Sequence, residues 1–229
     1  MINNDKGSYF MKKAIIFDMD GTLFQTNLIL EPALTATFDV LRTKGLWQGD
    51  TPIEQYREIM GVSLPVVWET LCPMHTLEVR EASNALFHDK LIELIINGKG
   101  ALYPNAEQAL ATLANDYHLY IASNGQKEYL QAIVDTYKLN RYIEGTYSIQ
   151  SIRSGHKSDL VKSVIEENNI QAGAVVGDRA SDIQAALDNH LFSIGVRFDF
   201  AQDSELQKAH VVIDNLHDIS KHLTTISHL

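Results

Sequence analysis

Two aspartates two residues apart, Asp18 and Asp20, lie in the stretch Phe17-Asp18-Met19-Asp20-Gly21-Thr22-Leu23. Carboxylates that close repel unless a cation or a shared proton offsets the cost, so metal binding is the first chemistry they suggest. A polar turn after a strand explains the same residues, and on this stretch alone both readings stand. Other groups of chemical interest recur further on. Ser123-Asn124-Gly125 offers a hydroxyl, an amide and a permissive glycine where a helix begins, which suits either a helix cap or a phosphate on backbone amides. Asp178 and Asp182 in Gly177-Asp178-Arg179-Ala180-Ser181-Asp182 are one helical turn apart and can face one point. With Asp18 and Asp20 they make an oxygen-rich set of the kind magnesium prefers, while N-capping by Asp178 or Ser181 is the structural alternative. Lys157 precedes a helix in Ser154-Gly155-His156-Lys157. It reads as a solvated surface lysine, or as an ammonium that holds a carboxylate and a phosphate together despite their repulsion. His156 and Arg179 read as rim residues.

These groups share a context, because each cluster follows a short apolar run. Lys13–Ile16 is a buried strand by length and β-branched content, and it places Asp18 and Asp20 at its C-terminal edge. In parallel α/β sheets that edge binds ligands, and Gly21 lets the chain turn away there. From Tyr103 onward strands and helices alternate: helix 106–114 started by Pro104-Asn105, strand 117–122, helix 127–137, strand 146–149 and helix 158–167. Strand 174–176, helix 181–187, strand 192–196 and a last strand at 210–213 follow. This order predicts an α/β fold, a doubly wound, mostly parallel sheet with helices on both faces.

Between the first strand and this alternation, residues 28–96 show no strand pattern. Pro32 in a first turn and Gly45 near the end mark a helix over 33–41, and Thr51-Pro52-Ile53-Glu54 repeats the start signal. Tyr56, Ile59 and Met60, then Val66, Val67 and Leu71, then Leu86, Leu91, Leu94 and Ile95 recur at helical intervals. Asn97-Gly98-Lys99-Gly100 closes the block as a linker. Residues 28–97 are thus an inserted helical domain, and 12–27 with 98–229 form the core. In that insertion Trp47, Trp68 and Tyr56 read as packing residues and His75 as surface-exposed.

Composition narrows the class. A formal net charge of -10 disfavours nucleic-acid binding, and a hydrophobic content of 45% is ample for a core. The single cysteine, Cys72, excludes an internal disulfide framework, fits a reducing compartment and reads as buried packing. The polar lead Met1–Ser8 has no apolar signal core, and no run approaches membrane-spanning length, so a cytoplasmic protein is expected.

The order Asp-x-Asp-Gly-Thr-Leu, Ser-Asn-Gly, a lysine before a helix, and Gly-Asp-x-x-x-Asp resembles the haloacid dehalogenase superfamily of hydrolases, from about Lys12 to His222. The resemblance implies a Rossmann-like core, with the insertion as the helical cap of the phosphoglycolate phosphatase-like branch. It further implies Asp18 as a nucleophile that forms an aspartyl-phosphate, and Asp20 as the general acid/base. Ser123 and Asn124 would bind the phosphate, and Lys157 would orient both nucleophile and phosphate. Magnesium would be held by Asp18, the backbone carbonyl of Asp20 and Asp178, with Asp182 supporting it. Two positions depart from the family pattern: Gln25 stands where an acid is usual, and Ser158 where a proline commonly follows the lysine. Neither removes a group the chemistry needs.

The fold hosts several reactions, so the residues must choose among them. Asp20 supplies an acid that an alkoxide leaving group requires and a halide does not, which favours a phosphomonoester. The expected function is a magnesium-dependent phosphatase for a small phosphorylated metabolite such as phosphoglycolate, a sugar phosphate or a nucleoside monophosphate, with monomer and homodimer both open. A phosphosugar mutase is the alternative, and a noncatalytic or regulatory phospho-aspartate protein a more distant one. Arg42, Lys44, Arg57, Arg80 and Lys90 are scattered through the insertion rather than clustered for a phosphosugar.

Overall fold

The computed structural model describes residues 11–59, 62, 64–199 and 201–223, apart from the side chains of Leu64 and Pro65. The polar lead before Met11 and the Met60 of the helical pattern lie outside them. The chain opens with strand β1 (Lys13–Phe17) and then four helices, α1 (Asn27–Thr43), α2 (Ile53–Glu58), α3 (Leu64–Leu71) and α4 (Leu77–Ile96). Helix α5 (Ala106–Leu113) leads into β2 (His118–Ser123), α6 (Lys127–Thr136) and β3 (Ile143–Ser148). Helix α7 (Lys157–Asn168), β4 (Ala172–Gly177), α8 (Ala180–Asp188) and β5 (Phe192–Val196) follow. The described chain ends through α9 (Asp203–Leu206), β6 (Val211–Ile213) and α10 (Ile219–Leu223).

All six strands pair in parallel in the order β3-β2-β1-β4-β5-β6. The chain therefore builds outward on one side of β1 and then returns to build on the other. This puts the crossover reversal beside β1, where open parallel sheets form a ligand crevice. The two-residue side-chain period divides each central strand between two cores. Ile15, Phe17, Leu119, Ile121, Ala174 and Val176 face one side with α5, α6 and the inserted helices. Ala14, Ile16, Tyr120, Ala122 and Val175 face the other, against Leu160, Val161 and Val164 of α7 and Ala185 and Ala186 of α8. Both sheet faces are covered, as parallel strands require.

The insertion between β1 and β2 is helical among the described residues. Helix α1 begins at Asn27, several residues before the expected start at Ala33, and encloses Pro32. Its buried stripe of Ile29, Leu30, Ala33, Leu34, Thr37, Phe38 and Leu41 explains the extension. Docking of that whole face outweighs the one hydrogen bond a proline cannot make, and the carbonyl left without it belongs to exposed Leu28. An aromatic cluster fixes the helices to one another: Phe38 stacks on Trp68 at 6.2 Å, Trp68 meets Phe87 edge-on at 6.0 Å, and Trp68 Nε1 donates to Asn84 Oδ1 at 2.8 Å. Cys72 is buried in this cluster, and burial pushes its thiol up to about 11. His75 corrects the sequence expectation. It is half-buried, set edge-on to Trp47, with Nε2 2.7 Å from the Leu46 carbonyl oxygen.

The two chain passages joining insertion and sheet are tied together. Gln25 donates its backbone N–H to the Ala101 carbonyl at 2.9 Å and its Nε2 to the Leu102 carbonyl at 2.6 Å, and Tyr103 N–H donates to Leu23. The Gln25 amide thus joins the outgoing passage to the returning one. No helix among the described residues is long and apolar enough to cross a membrane.

Candidate active site

Strand β1 ends at Phe17, and Asp18 continues its line by donating a backbone N–H to Val176 of β4 at 2.9 Å. The register that pairs Phe17 with Val176 puts Asp18 level with Gly177, so Asp18 and Asp178 leave adjacent parallel strands one position apart. Gly21 makes their approach feasible. Its φ is +76°, and a Cβ there would lie 2.4 Å from Asp178 Oδ2, so the turn needs both the conformational freedom and the missing side chain of glycine. At Gly177 the missing side chain alone makes room for Asp182, whose Cβ would be 2.3 Å from a Cβ at that position. Thr22 Oγ1 donates to Asp178 Oδ1 at 3.3 Å, and Arg179 N–H donates to Asp182 Oδ2 at 3.1 Å in the first turn of α8.

Lys157 is the first residue of α7 rather than a residue before it, and it is only 6% exposed. Its Nζ lies 2.5 Å from Asp18 Oδ1 and 2.9 Å from Asp182 Oδ1. The lysine thus bridges two buried carboxylates. Burial opposes the ammonium, but the Asp18 and Asp182 charges outweigh it and hold Lys157 protonated. For Asp18 the balance is reversed. Burial, then the neighbouring Asp182 and Asp20 charges, push it up to about 7 against the downward pull of Lys157. Burial, then the Asp18 and Asp182 charges, raise Asp178 as well.

Asp18, Asp178 and Asp182 each offer an oxygen within 4.8 Å of the others, all three buried. One lysine cannot neutralise three carboxylates. A hard divalent cation fits this all-oxygen donor set. The carboxyl of Asp20 lies outside the trio. It accepts two hydrogen bonds on the same oxygen, Oδ1, from Thr26 Oγ1 and Tyr129 Oη, both at 2.5 Å. Burial raises its pKa despite those two donors.

The remaining expected residues come from the end of β2. Ser123 is buried and its Oγ accepts the Gly125 N–H at 3.1 Å, while Ser148 Oγ donates to the Gly125 carbonyl at 2.6 Å. Asp18, Asp20, Ser123, Asn124, Lys157, Asp178 and Asp182 all line one cavity of about 100 Å³. Of the two expected rim residues, His156 is exposed, whereas Arg179 lines the cavity and is held from outside by Glu205, with Nε 2.9 Å and Nη2 3.0 Å from its carboxylate oxygens. Thr26, Tyr129 and His88 also line the cavity and had no signal in the sequence. Tyr129 stands 109 positions from its partner Asp20, in a helix whose apolar stripe makes any tyrosine read as core. A second, larger cleft of about 680 Å³ shares Asn124, Lys157 and Ser181 with the cavity and runs beneath Trp68, Arg80 and Asn84 of the insertion.

The fold recurs in solved structures. A predicted phosphoglycolate phosphatase from Haemophilus somnus superposes with a TM-score of 0.79 at 21% identity, over 93% of this chain and 98% of that one. A predicted phosphatase from Clostridium acetobutylicum gives 0.76 at 21% identity, over 94% and 100%. CbbY from Rhodobacter sphaeroides in complex with phosphate gives 0.75 at 18% identity, over 92% and 96%. No curated protein sequence matches the chain. A family model for haloacid dehalogenase-like hydrolases matches residues 12–189, and with most of its length matched the chain belongs to that family.

Proposed function

We propose that this hydrolase is a magnesium-dependent phosphatase acting on a small soluble phosphomonoester, with residues 28–97 as a cap over a core of 12–27 and 98–229. One observation carries the reading: a buried lysine bridges Asp18 and Asp182 beside Asp178, and a separate carboxyl, Asp20, is held apart by Thr26 and Tyr129. That arrangement separates a nucleophile from a proton carrier, which ester cleavage requires. Structural neighbours described as phosphatases, and one in complex with phosphate, support the substrate class.

Asp18, Asp178 and the backbone of Asp20 would hold magnesium, with Asp182 as support. Bound there, the cation offsets the repulsion between carboxylates and the incoming phosphate. The rest falls to the chain's own residues. Lys157 and the Ser123-Asn124 turn bind the phosphoryl oxygens and align phosphorus with Asp18. An Asp18 oxygen attacks, the bond from phosphorus to the ester oxygen breaks, and Asp20 gives its proton to the departing oxygen. Asp20, now a carboxylate, takes a proton from water; that water's oxygen attacks phosphorus, and Asp18 and inorganic phosphate are released. The inserted helices close over the site and limit water to the second step. The single reduced cysteine fits the cytoplasm as its compartment.

The test is phosphate release across a panel of phosphorylated metabolites, with magnesium and with chelator, beside Asp18→Asn. Activity should need the cation and fall by at least about 10⁴-fold in the variant. Turnover that survives both changes would overturn the mechanism.

A further inference from the structure

His88, on the cap-side helix α4, is only 7% exposed, and both of its ring nitrogens lack a hydrogen-bond partner. Buried polar atoms in native proteins nearly always find partners, so two orphans on one ring need an explanation. The ring lines the same cavity as Asp20 and is set edge-on to Tyr129, the phenol that fixes Asp20, at 6.2 Å. Around it the insertion contributes Tyr56, Val67, Phe87 and Leu91, none of them charged. His88 is therefore the insertion's polar group on an otherwise largely apolar wall, next to the residue that protonates the leaving oxygen in the reading above.

We infer that His88 recognises the leaving group of the substrate, through its ring nitrogens, and that this group is a compact, uncharged alcohol carrying at least one further hydroxyl. An imidazole with one protonated nitrogen offers one donor and one acceptor, and a hydroxyl complements both. The charge of the wall sets the second half of the inference. Among the described residues the cavity's cations are Lys157, engaged by Asp18 and Asp182, and Arg179, engaged by Glu205. A carboxylate on the leaving group would meet apolar side chains and the Asp20 carboxyl, with no cation of its own. Burial also lowers the His88 pKa to about 4 against the upward pull of Asp89 and Glu128, so the ring supplies no charge either. This selection rests on the phosphatase reading and narrows it, away from phosphoglycolate and toward a short polyol phosphate.

The experiment compares kcat/KM for glycerol 1-phosphate, propyl phosphate, phosphoglycolate and p-nitrophenyl phosphate in wild type, His88→Leu and His88→Gln. Propyl phosphate has the glycerol carbon skeleton without its free hydroxyls. Wild type should prefer glycerol 1-phosphate over both propyl phosphate and phosphoglycolate by about 10- to 100-fold. In His88→Leu the preference over propyl phosphate should collapse to within about 3-fold, with a cooperative urea unfolding transition as the sign of a folded variant. The Gln variant, which retains a donor and an acceptor, should recover part of the preference and carries the test if the Leu variant does not fold. An unchanged ratio in the variants, as expected if a water satisfies the ring, overturns the inference while leaving the phosphatase reading intact. The same holds for a wild type that prefers phosphoglycolate or hydrolyses only p-nitrophenyl phosphate. A wild type inert toward all four esters overturns the phosphatase reading itself, and the inference with it.

Discussion

The floor and the wall of the cavity are built by opposite rules. The floor, at the ends of β1, β2 and β4, crowds ionisable groups together and fixes each from a different part of the chain: Lys157 on Asp18, Thr22 on Asp178, Arg179 N–H on Asp182, Tyr129 on Asp20. The wall, from the inserted helices, is uncharged and largely apolar, and it carries His88, whose nitrogens are left without partners. Preorganised charge on rigid strand ends suits bond breaking, since nothing has to move or resolvate when charge develops. A wall with one unsatisfied polar group suits choosing among esters, since its hydrogen bonds are completed only by the right occupant.

Removing Asp20, the proposed proton carrier, tests that division most severely. Asp20→Asn should lower turnover of alkyl phosphates by about 10³-fold, within the usual span for a general acid and base. With p-nitrophenyl phosphate, whose leaving group needs little protonation, the first step should survive better than the second. A burst of nitrophenolate followed by slow release of inorganic phosphate is the expected trace. Equal loss on both ester types with no burst would deny Asp20 its separate duty.

Glycine substitutions compare the two regions with the same chemical change. Gly21 and Gly98 both have positive φ, +76° and +67°, but a Cβ at Gly21 strikes Asp178 whereas one at Gly98, where the insertion ends, meets nothing within 4 Å. Gly98→Ala should cost only the left-handed backbone penalty, about 1 kcal/mol, with activity unchanged. Gly21→Ala adds displacement of a buried carboxylate, so it should cost about 3 kcal/mol or more by denaturant unfolding and abolish detectable turnover. Similar effects at the two sites would mean that Gly21 serves backbone freedom alone.

The floor was legible in the sequence for the reason that makes it rigid. A buried parallel strand is a short apolar run, so the polar residue that ends it stands out, and Asp18, Ser123 and Asp178 could each be placed at a strand end by counting. Lys157 was legible only through the order of motifs, because nothing local tells a buried lysine at a helix start from a solvated one. Element edges blurred where one signal misled: Pro32 marked a helix start although the apolar stripe began earlier, and Gly145 hid the first residues of β3. Helices α9 and α10, of 4 and 5 residues, are too short to show a period. Thr26, Tyr129 and His88 were out of reach, since their roles come from which helix faces the cavity and not from neighbours in sequence. The wall is read from tertiary structure or not at all.

A pH-dependent effect, without any loss of turnover to read, tests whether the wall is uncharged. The His88 pKa falls from an ordinary 6.5 to about 4 on folding, chiefly by burial, with the Asp89 and Glu128 carboxylates opposing. Above pH 6.5 the ring is neutral in both folded and unfolded chains and pH has no leverage through it. As pH falls toward 4 the unfolded chain binds a proton that the folded one refuses, so stability is lost across that window and levels off below it. The full loss is about 3 kcal/mol at most. In His88→Leu it disappears, while the titrations of Asp18, Asp20 and Asp178 remain in both proteins and cancel in the difference. The variant should therefore gain on wild type by about 2 kcal/mol between pH 7.5 and pH 4.5, measured by urea unfolding at each pH. A difference that stays flat would mean that His88 accepts its proton in the folded state. The wall would then carry a charge at low pH, and an anionic leaving group would regain a partner there.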